Sequence, residues 1–204
     1  MTDRRGFLQQ GMALSALPFV AGTTLAPSAP RATSLARPAM RRHPEQIIFD
    51  DRFEAARLFA RQAQRLALPL HRISGDVTEL WYDDLYHRWS SGSGVSAGMT
   101  SVAALFCLEQ LAFRHDRRVI FRADHVRRPD GRVTHTLCGP PSLIQGAQLH
   151  VWQAQWPVRM AGLMTYDPAE RGQIAQDQVV TAAGDSDDWI APLASWIIAL
   201  RVPA

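Results

Sequence analysis

The order of apolar segments between residues 46 and 89 constrains the fold of this chain more than any other feature. Residues 46–49 predict a short buried strand, and apolar residues at helical spacing follow over 52–67. Residues 70–73 predict a second strand, and a second helix follows over 77–89. Because strand, helix, strand and helix alternate, we expect an α/β fold whose small sheet begins with a parallel βαβ unit and carries flanking helices.

The clearest local signal is the turn sequence Arg128-Pro129-Asp130-Gly131-Arg132. Proline suits the first position of a type I turn, and glycine suits the left-handed position that follows it. We therefore predict an antiparallel β-hairpin with a three-residue loop. Loop length sets the register of a hairpin, so His125 should lie opposite His135, and Ala123 opposite Leu137.

The other segments carry weaker patterns. Residues 95–99 predict a short strand, and Thr100 is a candidate N-cap for an apolar helix that ends near His115. Further along, we expect strands over 149–156 and 162–166. A loop-rich stretch over 167–184 and an apolar C-terminal helix over 188–200 should follow.

The chain of 204 residues contains 22 arginines and no lysine. Chemistry that needs a lysine, such as a Schiff base or a P-loop contact to phosphate, is therefore excluded. Of the net charge of +3, the first 36 residues carry +2, because Arg4, Arg5 and Arg31 outnumber Asp3. The remainder is close to neutral, whereas nucleic-acid binding usually needs a concentrated basic surface, so we predict no nucleic-acid partner.

The N-terminus holds Asp3-Arg4-Arg5-Gly6-Phe7-Leu8, followed by an uncharged, mildly apolar run over 11–26. This arrangement resembles the twin-arginine signal of bacterial exported proteins, although Gln9 and Gln10 stand where that family often has lysine. The resemblance implies that the twin-arginine translocase carries the folded chain to the periplasm. The run is short for a stable membrane span, so membrane attachment would require an uncleaved leader.

This organisation divides the chain into three parts. We predict a signal peptide over 1–36, a linker rich in proline and arginine over 37–45, and a single α/β domain over 46–204.

Several acidic residues stand at predicted strand ends. Asp50 or Asp51 is a candidate cap for the first helix, and Asp76 follows the second strand in Ser74-Gly75-Asp76. Ligands of open α/β sheets bind beyond the carboxyl ends of strands, so Asp76 is a candidate catalytic residue. We favour the alternative, in which Asp76 caps the helix that begins near Val77.

The glycine-rich segment over 92–98 suggests two kinds of site. Gly92, Gly94 and Gly98 could let the backbone approach a phosphate at a helix N-terminus, although a plain flexible loop is the favoured interpretation. Gly94-Val95-Ser96-Ala97-Gly98 also matches the nucleophile elbow of serine hydrolases, which makes Ser96 a candidate nucleophile.

The predicted register makes His125 and His135 direct neighbours across the hairpin. Two adjacent imidazoles could bind a metal or form an acid/base pair. A metal site normally needs three or four protein ligands, so we favour a structural histidine pair.

Cysteine and tryptophan add two expectations. We expect Cys107 to be a buried free thiol rather than part of a disulfide with Cys138. We also expect Trp81, Trp89 and Trp196 in the core, whereas Trp152 and Trp156 could lie either in the core or at an interface.

Taken together, these patterns favour a binding or accessory subunit that travels with an exported redox enzyme. The alternative is a small periplasmic hydrolase or metal-dependent enzyme that uses Ser96, or Asp76 with His125 and His135. We therefore predict a periplasmic protein partner besides the translocase, while the residues specify neither a substrate nor a cofactor.

Overall fold

The structure is a computed structural model, and it describes residues 44–92, 94–165, 174–182 and 191–201. The predicted leader and all but the last two residues of the predicted linker lie outside these described residues. None of the helices in the described ranges is long and apolar enough to cross a bilayer.

The described residues form one mixed sheet of seven strands, which confirms the α/β class. The strands are β1 (Gln46–Asp50), β2 (Leu70–Ile73), β3 (Ser96–Ser101), β4 (Arg117–Arg127), β5 (Arg132–Gly139), β6 (Ala175–Ala182) and β7 (Leu193–Leu200). Their order across the sheet is β2-β1-β3-β7-β4-β5-β6. β1 is parallel to β2 and β3, whereas the remaining neighbours are antiparallel.

The predicted βαβ unit is confirmed. Helix α1 (Glu54–Arg65) connects β1 to β2, and its buried residues are spaced as an amphipathic helix requires. The capping prediction for Asp50 and Asp51 is wrong, because Phe53 is the N-cap residue and makes no side-chain cap. Asp50 instead accepts hydrogen bonds from Arg52.

The second predicted helix is present but irregular. It consists of α2 (Thr78–Leu80), a π-helical turn (Trp81–Leu85) and α3 (Tyr86–Ser90). A π turn holds more residues than an α turn, so Leu80 and Leu85, five positions apart, both face the core. Trp89 is buried as expected, and Trp81 is half-buried against the same core.

Helix α4 (Val102–Phe113) begins two residues later than the predicted cap. The N-cap is Ser101, whose Oγ accepts a hydrogen bond from the backbone N–H of Ala104 at 3.2 Å. The prediction for Thr100 is therefore wrong. Thr100 belongs to β3, and its hydroxyl accepts a bond from the indole N–H of Trp196.

The C-terminal half differs most from the predictions. Short helices run from 141 to 163, and they include the residues 149–156 and 162–163 that were expected in strands. They are α5 (Pro141–Ala147), α6 (Leu149–Trp152), a 3-10 turn (Gln153–Gln155) and α7 (Trp156–Leu163). The rest of the second expected strand is a turn at 164–165 and Tyr166, which lies outside the described residues. Gln148 and Gln153 have left-handed φ values of 46° and 45°, which divide this region into pieces.

Two strands replace the predicted C-terminal loop and helix. β6 lies inside the stretch expected to be loop-rich, and its polar residues face solvent at the sheet edge. β7 takes up 193–200 of the stretch 188–200 that was expected to be helical, and it is the middle strand of the sheet. Residues 188–190 of that stretch lie outside the described residues. Both faces of β7 are buried, so its sequence is apolar without the alternation that marks a half-buried strand.

The sheet separates two hydrophobic layers. On one face, α1, α5 and α7 pack over Ile47, Phe121 and Ile197. On the other face, α4 and the helical segments over 78–90 pack over Ile48 and Trp196. A sheet covered by helices on both faces is the three-layer arrangement typical of α/β proteins.

Both cysteines are free and solvent-exposed. The expected burial of Cys107 is therefore wrong. Cys107 lies on the outer side of α4, which is apolar on its exposed as well as its buried side.

Candidate functional site

The β4–β5 turn places the two histidines. Gly131 has a φ of 77°, and its N–H donates to the Arg128 carbonyl at 3.0 Å. The N–H of Arg128 donates to the Arg132 carbonyl at 2.7 Å and closes the loop. His125 therefore lies opposite His135, as the turn sequence predicts.

The histidine side chains form a hydrogen-bonded chain across four strands. The Nδ1 atoms of His125 and His135 are 2.7 Å apart. Nε2 of His125 lies 2.8 Å from the Ser195 hydroxyl of β7, and Nε2 of His135 lies 2.8 Å from the Thr181 hydroxyl of β6. All four ring nitrogens are thus used within the protein, and we call these residues the histidine chain.

Trp156 covers this chain from α7. Its ring centroid lies 4.2 Å from that of His125 and 4.8 Å from that of His135. His125, His135, Ser195 and Trp156 have no exposed surface, and Thr181 is 1% exposed. The position of Trp156, which the sequence left open, is therefore in the core.

Burial lowers the pKa of both histidines. The pKa of His135 falls to about 3 because the low-dielectric interior disfavours the imidazolium. The pKa of His125 falls well below its ordinary value, first through burial and second through repulsion from a charged His135. Both rings are therefore neutral at pH 7.

The histidine chain matches the structural interpretation better than the metal or acid/base hypothesis. A metal would have to displace at least one hydrogen bond of each ring. Within the described residues, no group of three His, Cys, Asp or Glu side chains is placed to hold a metal ion. An acid/base role would require contact with a substrate, and both rings are sealed beneath Trp156.

Asp76 lies just before α2 and is not a member of the histidine chain. Its Oδ1 accepts hydrogen bonds from the backbone N–H and the hydroxyl of Thr78, at 2.8 and 2.7 Å. The Thr78 hydroxyl, followed by its N–H, lowers the pKa of Asp76. The N-cap residue of α2 is Val77, so the capping prediction for Asp76 is wrong by one residue, although its carboxylate satisfies the first backbone N–H of the helix.

Ser96 does not have the geometry of a nucleophile elbow. It is the first residue of β3 rather than a turn residue between a strand and a helix, and it is only 3% exposed. Its hydroxyl accepts a hydrogen bond from the indole N–H of Trp89 at 3.2 Å. Ser96 pairs with Ile198 and His125 pairs with Leu193, which separates the two by about 17 Å along β7.

The three glycines do not form a phosphate cradle. Gly92 and Gly94 have left-handed φ values of 73° and 87° in a loop that leads into a strand. Gly98 lies inside β3, where a Cβ would come within 2.3 Å of the Ile48 carbonyl oxygen. The nearest helix N-terminus, at Ser101, follows the opposite end of that strand.

The strand ends of β1 and β2 carry a polar network that the helix-cap prediction missed. The buried carboxylate of Asp50 accepts two hydrogen bonds from Arg52, at 2.9 and 2.7 Å. Asp51 accepts from Ser74 at 2.6 Å and from Arg72 at 3.2 Å. The sequence signal for this network was the pair of acidic residues directly after a buried strand. Polar residues at this edge of an open α/β sheet stand where ligands usually bind.

A shallow polar cavity of about 230 Å³ opens beside that network. Its lining residues are His71, Arg72, Ile73, Ser74, Asp76, Glu79 and Leu80. The carboxylates of Asp50, Asp51 and Asp76 already have partners within the chain. The network thus ties the ends of β1 and β2 together.

The outer side of α4 is a second candidate site. Phe106 is 59% exposed and Phe113 is 80% exposed, and Ala103, Cys107 and Gln110 share this side. The only charged residue of α4, Glu109, is paired with Arg122 at 3.3 Å. We call these five exposed residues the α4 surface.

Exposed aromatic residues also occur on the neighbouring helical segment of the same layer. Tyr82 is 67% exposed, and Tyr86 is 47% exposed. Tyr86 contacts the rings of Trp81 and His115, with centroid distances of 5.6 and 5.8 Å. The helical layer that contains α4 therefore presents several aromatic side chains to solvent.

These features define an α/β protein with a mixed sheet, a buried histidine chain and an apolar outer helix. No protein-family model matches the chain, and no curated protein or solved structure is significantly similar to it.

Proposed function

We propose that this chain is a periplasmic binding or accessory subunit that is exported by the twin-arginine route and docks on an exported redox enzyme. The observation that carries the docking part is the exposure of Phe106 and Phe113 on an uncharged helix side. Burying an aromatic side chain contributes about 1.5–3 kcal/mol, so both residues would stabilise a complex. Aromatic residues are also enriched in the energetically important parts of protein interfaces.

The export part rests on the leader alone. Arg4 and Arg5 precede Phe7 and Leu8, and an uncharged run follows. A chain with this leader would fold before it crosses the membrane, and it could cross already bound to its partner.

Export is tested by replacing both leader arginines. The R4K and R5K double variant retains the charge but not the arginine pair, so we expect it to stay in the cytoplasm while the wild-type chain reaches the periplasm. Cell fractionation with an antibody measures both. Equal export of the two chains would contradict the proposed route.

Docking is tested with variants of the α4 surface. We expect the wild-type chain in envelope extracts of its native host to elute from a size-exclusion column well above the mass of the chain alone, which is at most 22.7 kDa with its leader. The F106S and F113S double variant should elute close to that mass, because it removes both aromatic contacts.

The matched control is Val151→Ser. Val151 is 66% exposed and lies on α6, in the opposite helical layer. This variant should remain in the complex. The proposal is contradicted if the wild-type chain elutes as a monomer, or if V151S disrupts the complex and the double phenylalanine variant does not.

A further inference from the structure

The histidine chain restricts how many protons its members can hold. A contact of 2.7 Å between the Nδ1 atoms of His125 and His135 requires one N–H donor and one bare nitrogen. If His125 donates, its Nε2 accepts from Ser195, and Nε2 of His135 donates to Thr181. The reverse arrangement is equally complete, because a hydroxyl can donate or accept.

Added protons affect these bonds unequally. A first proton can bind at the bare Nε2 and donate to its hydroxyl partner, which preserves the bond between the two rings. A second proton would have to bind at the bare Nδ1. Two N–H groups would then point at each other within 2.7 Å, between side chains that have no exposed surface. The packed geometry is therefore incompatible with two charged imidazoles.

Among the described residues, the charged side chains that neighbour the pair on β4 and β6 are exposed. Arg127 lies two residues after His125, on the same face of β4. On β5, Leu137 is the next residue on the face of His135, and Asp177 of β6 lies opposite Leu137. From α7, Arg159 donates to the carbonyls of Gly146 and Ala147 instead.

The other described elements that pack on this layer contribute buried apolar residues. β7, α1 and α5 supply apolar side chains to the same core cluster. Within the described part of the chain, no carboxylate contacts either imidazole, so an added positive charge would need water.

The Trp156 side chain lies between the two imidazole rings and helix α7, to which it belongs. It packs against both imidazoles and opens α7, which in turn packs on α1. Hydration of a charged pair would require this ring to move, and its movement would displace the start of α7.

We propose that the histidine chain is an acid-sensitive lock that holds α7 on the sheet while both rings are neutral and releases it when they bind protons. In the released state, water reaches both imidazoles, and the strands of the sheet beneath α7 keep their hydrogen bonds. The device is independent of the proposed docking function, because it lies in the opposite helical layer from the α4 surface.

Amide hydrogen exchange at pH values between 7 and 4, followed by NMR, tests the lock. We expect the protection factors of α7 amides, such as those of Met160 and Ala161, to fall by clearly more than ten-fold and at most a hundred-fold per pH unit below about pH 6.5, because opening takes up two protons. Amides of Ile47 and Ile48 in β1 should change less, because opening is local. Equal pH dependence in α7 and β1 would show global acid unfolding and would overturn the lock.

Two substitutions strengthen this test. His135→Asn keeps a polar group in the chain but removes one proton site, so the dependence in α7 should not exceed ten-fold per pH unit. His150→Asn removes an exposed histidine of α6 and should leave the wild-type dependence unchanged. An unchanged profile in H135N, or a flat wild-type profile, would contradict the proposal.

Discussion

The indole N–H of Trp196 donates a hydrogen bond to the hydroxyl of Thr100 at 3.0 Å, which joins β7 to β3 from positions 96 residues apart. Trp196 pairs with Gly98, and the lack of a side chain at Gly98 leaves room for the indole. This contact shows how the C-terminal segment is inserted into the middle of the sheet.

Gly98→Ala should destabilise the fold. A Cβ at this position would lie 2.3 Å from the Ile48 carbonyl oxygen and 2.8 Å from the Trp196 ring, so backbone or ring must shift. Overpacking of this kind costs about 1–3 kcal/mol. Urea denaturation measures the change. Gly162→Ala in α7 is the control, because its Cβ meets no atom within 4 Å and alanine favours a helix. Equal stabilities of G98A and wild type would contradict the observed β1–β3–β7 packing.

A buried and an exposed neighbour on α4 should respond differently to truncation. Leu105→Ala removes a fully buried side chain and should cost about 2–5 kcal/mol. Phe106→Ser changes an exposed side chain and should alter the free energy of unfolding by no more than about 0.5 kcal/mol. Thermal or urea unfolding of the purified chain checks both. A large loss in F106S would mean that Phe106 already packs within the isolated chain.

Ser96 should not react with a fluorophosphonate probe in the folded protein. It is 3% exposed, and its hydroxyl is engaged by Trp89. Mass spectrometry of the treated chain measures the adduct. Ser96→Ala should instead reduce stability by about 1–3 kcal/mol, because a buried indole N–H loses its acceptor. Stoichiometric labelling that disappears in S96A would favour the hydrolase hypothesis.

Asp76→Ala should fray the helical segment that begins at Thr78. The substitution removes the acceptor for the backbone N–H and the hydroxyl of Thr78. Amide exchange at Thr78 should accelerate in D76A and change much less in D76N, since the side-chain oxygen of asparagine can accept the same bonds. Comparable exchange in wild type and D76A would show that the Asp76 carboxylate does not protect this amide.

The free energy of unfolding should fall as the pH drops below about 6.5. Both His125 and His135 have lowered pKa values in the folded chain, so the unfolded chain binds more protons below that pH. Each histidine should contribute a slope of about 1.4 kcal/mol per pH unit, continuing to about pH 3 for His135. Urea denaturation between pH 7.5 and 5 measures this slope. Constant stability over that range would contradict the buried neutral state.

Local chemistry explains which predictions were confirmed. The turn over 128–132 sets its own register through Gly131, so the opposition of His125 and His135 follows from neighbouring residues alone. The βαβ unit could also be predicted from the sequence, because the buried residues of α1 lie on one side of the helix and recur at regular helical spacing.

The wrong predictions lie where distant packing decides the structure. In β7, apolar and polar residues do not alternate, because helices cover both faces of the strand. Its sequence pattern is therefore the same as that of a buried helix. The sequence of β6 is polar, as in a loop, because this strand lies at the edge of the sheet and exposes its side chains. The region over 149–163 has the composition of a strand, yet it packs as short helices over the sheet.

The candidate site shows the same division. From the sequence alone, two histidines were paired across a hairpin, and two arginines predicted an export leader, which stays a prediction. Only the tertiary structure brought Ser195 and Thr181 to the outer nitrogens and placed Trp156 over both rings. Turn geometry acts over a few residues and can be read locally, whereas the partners of a buried polar group come from distant segments through packing of the whole sheet.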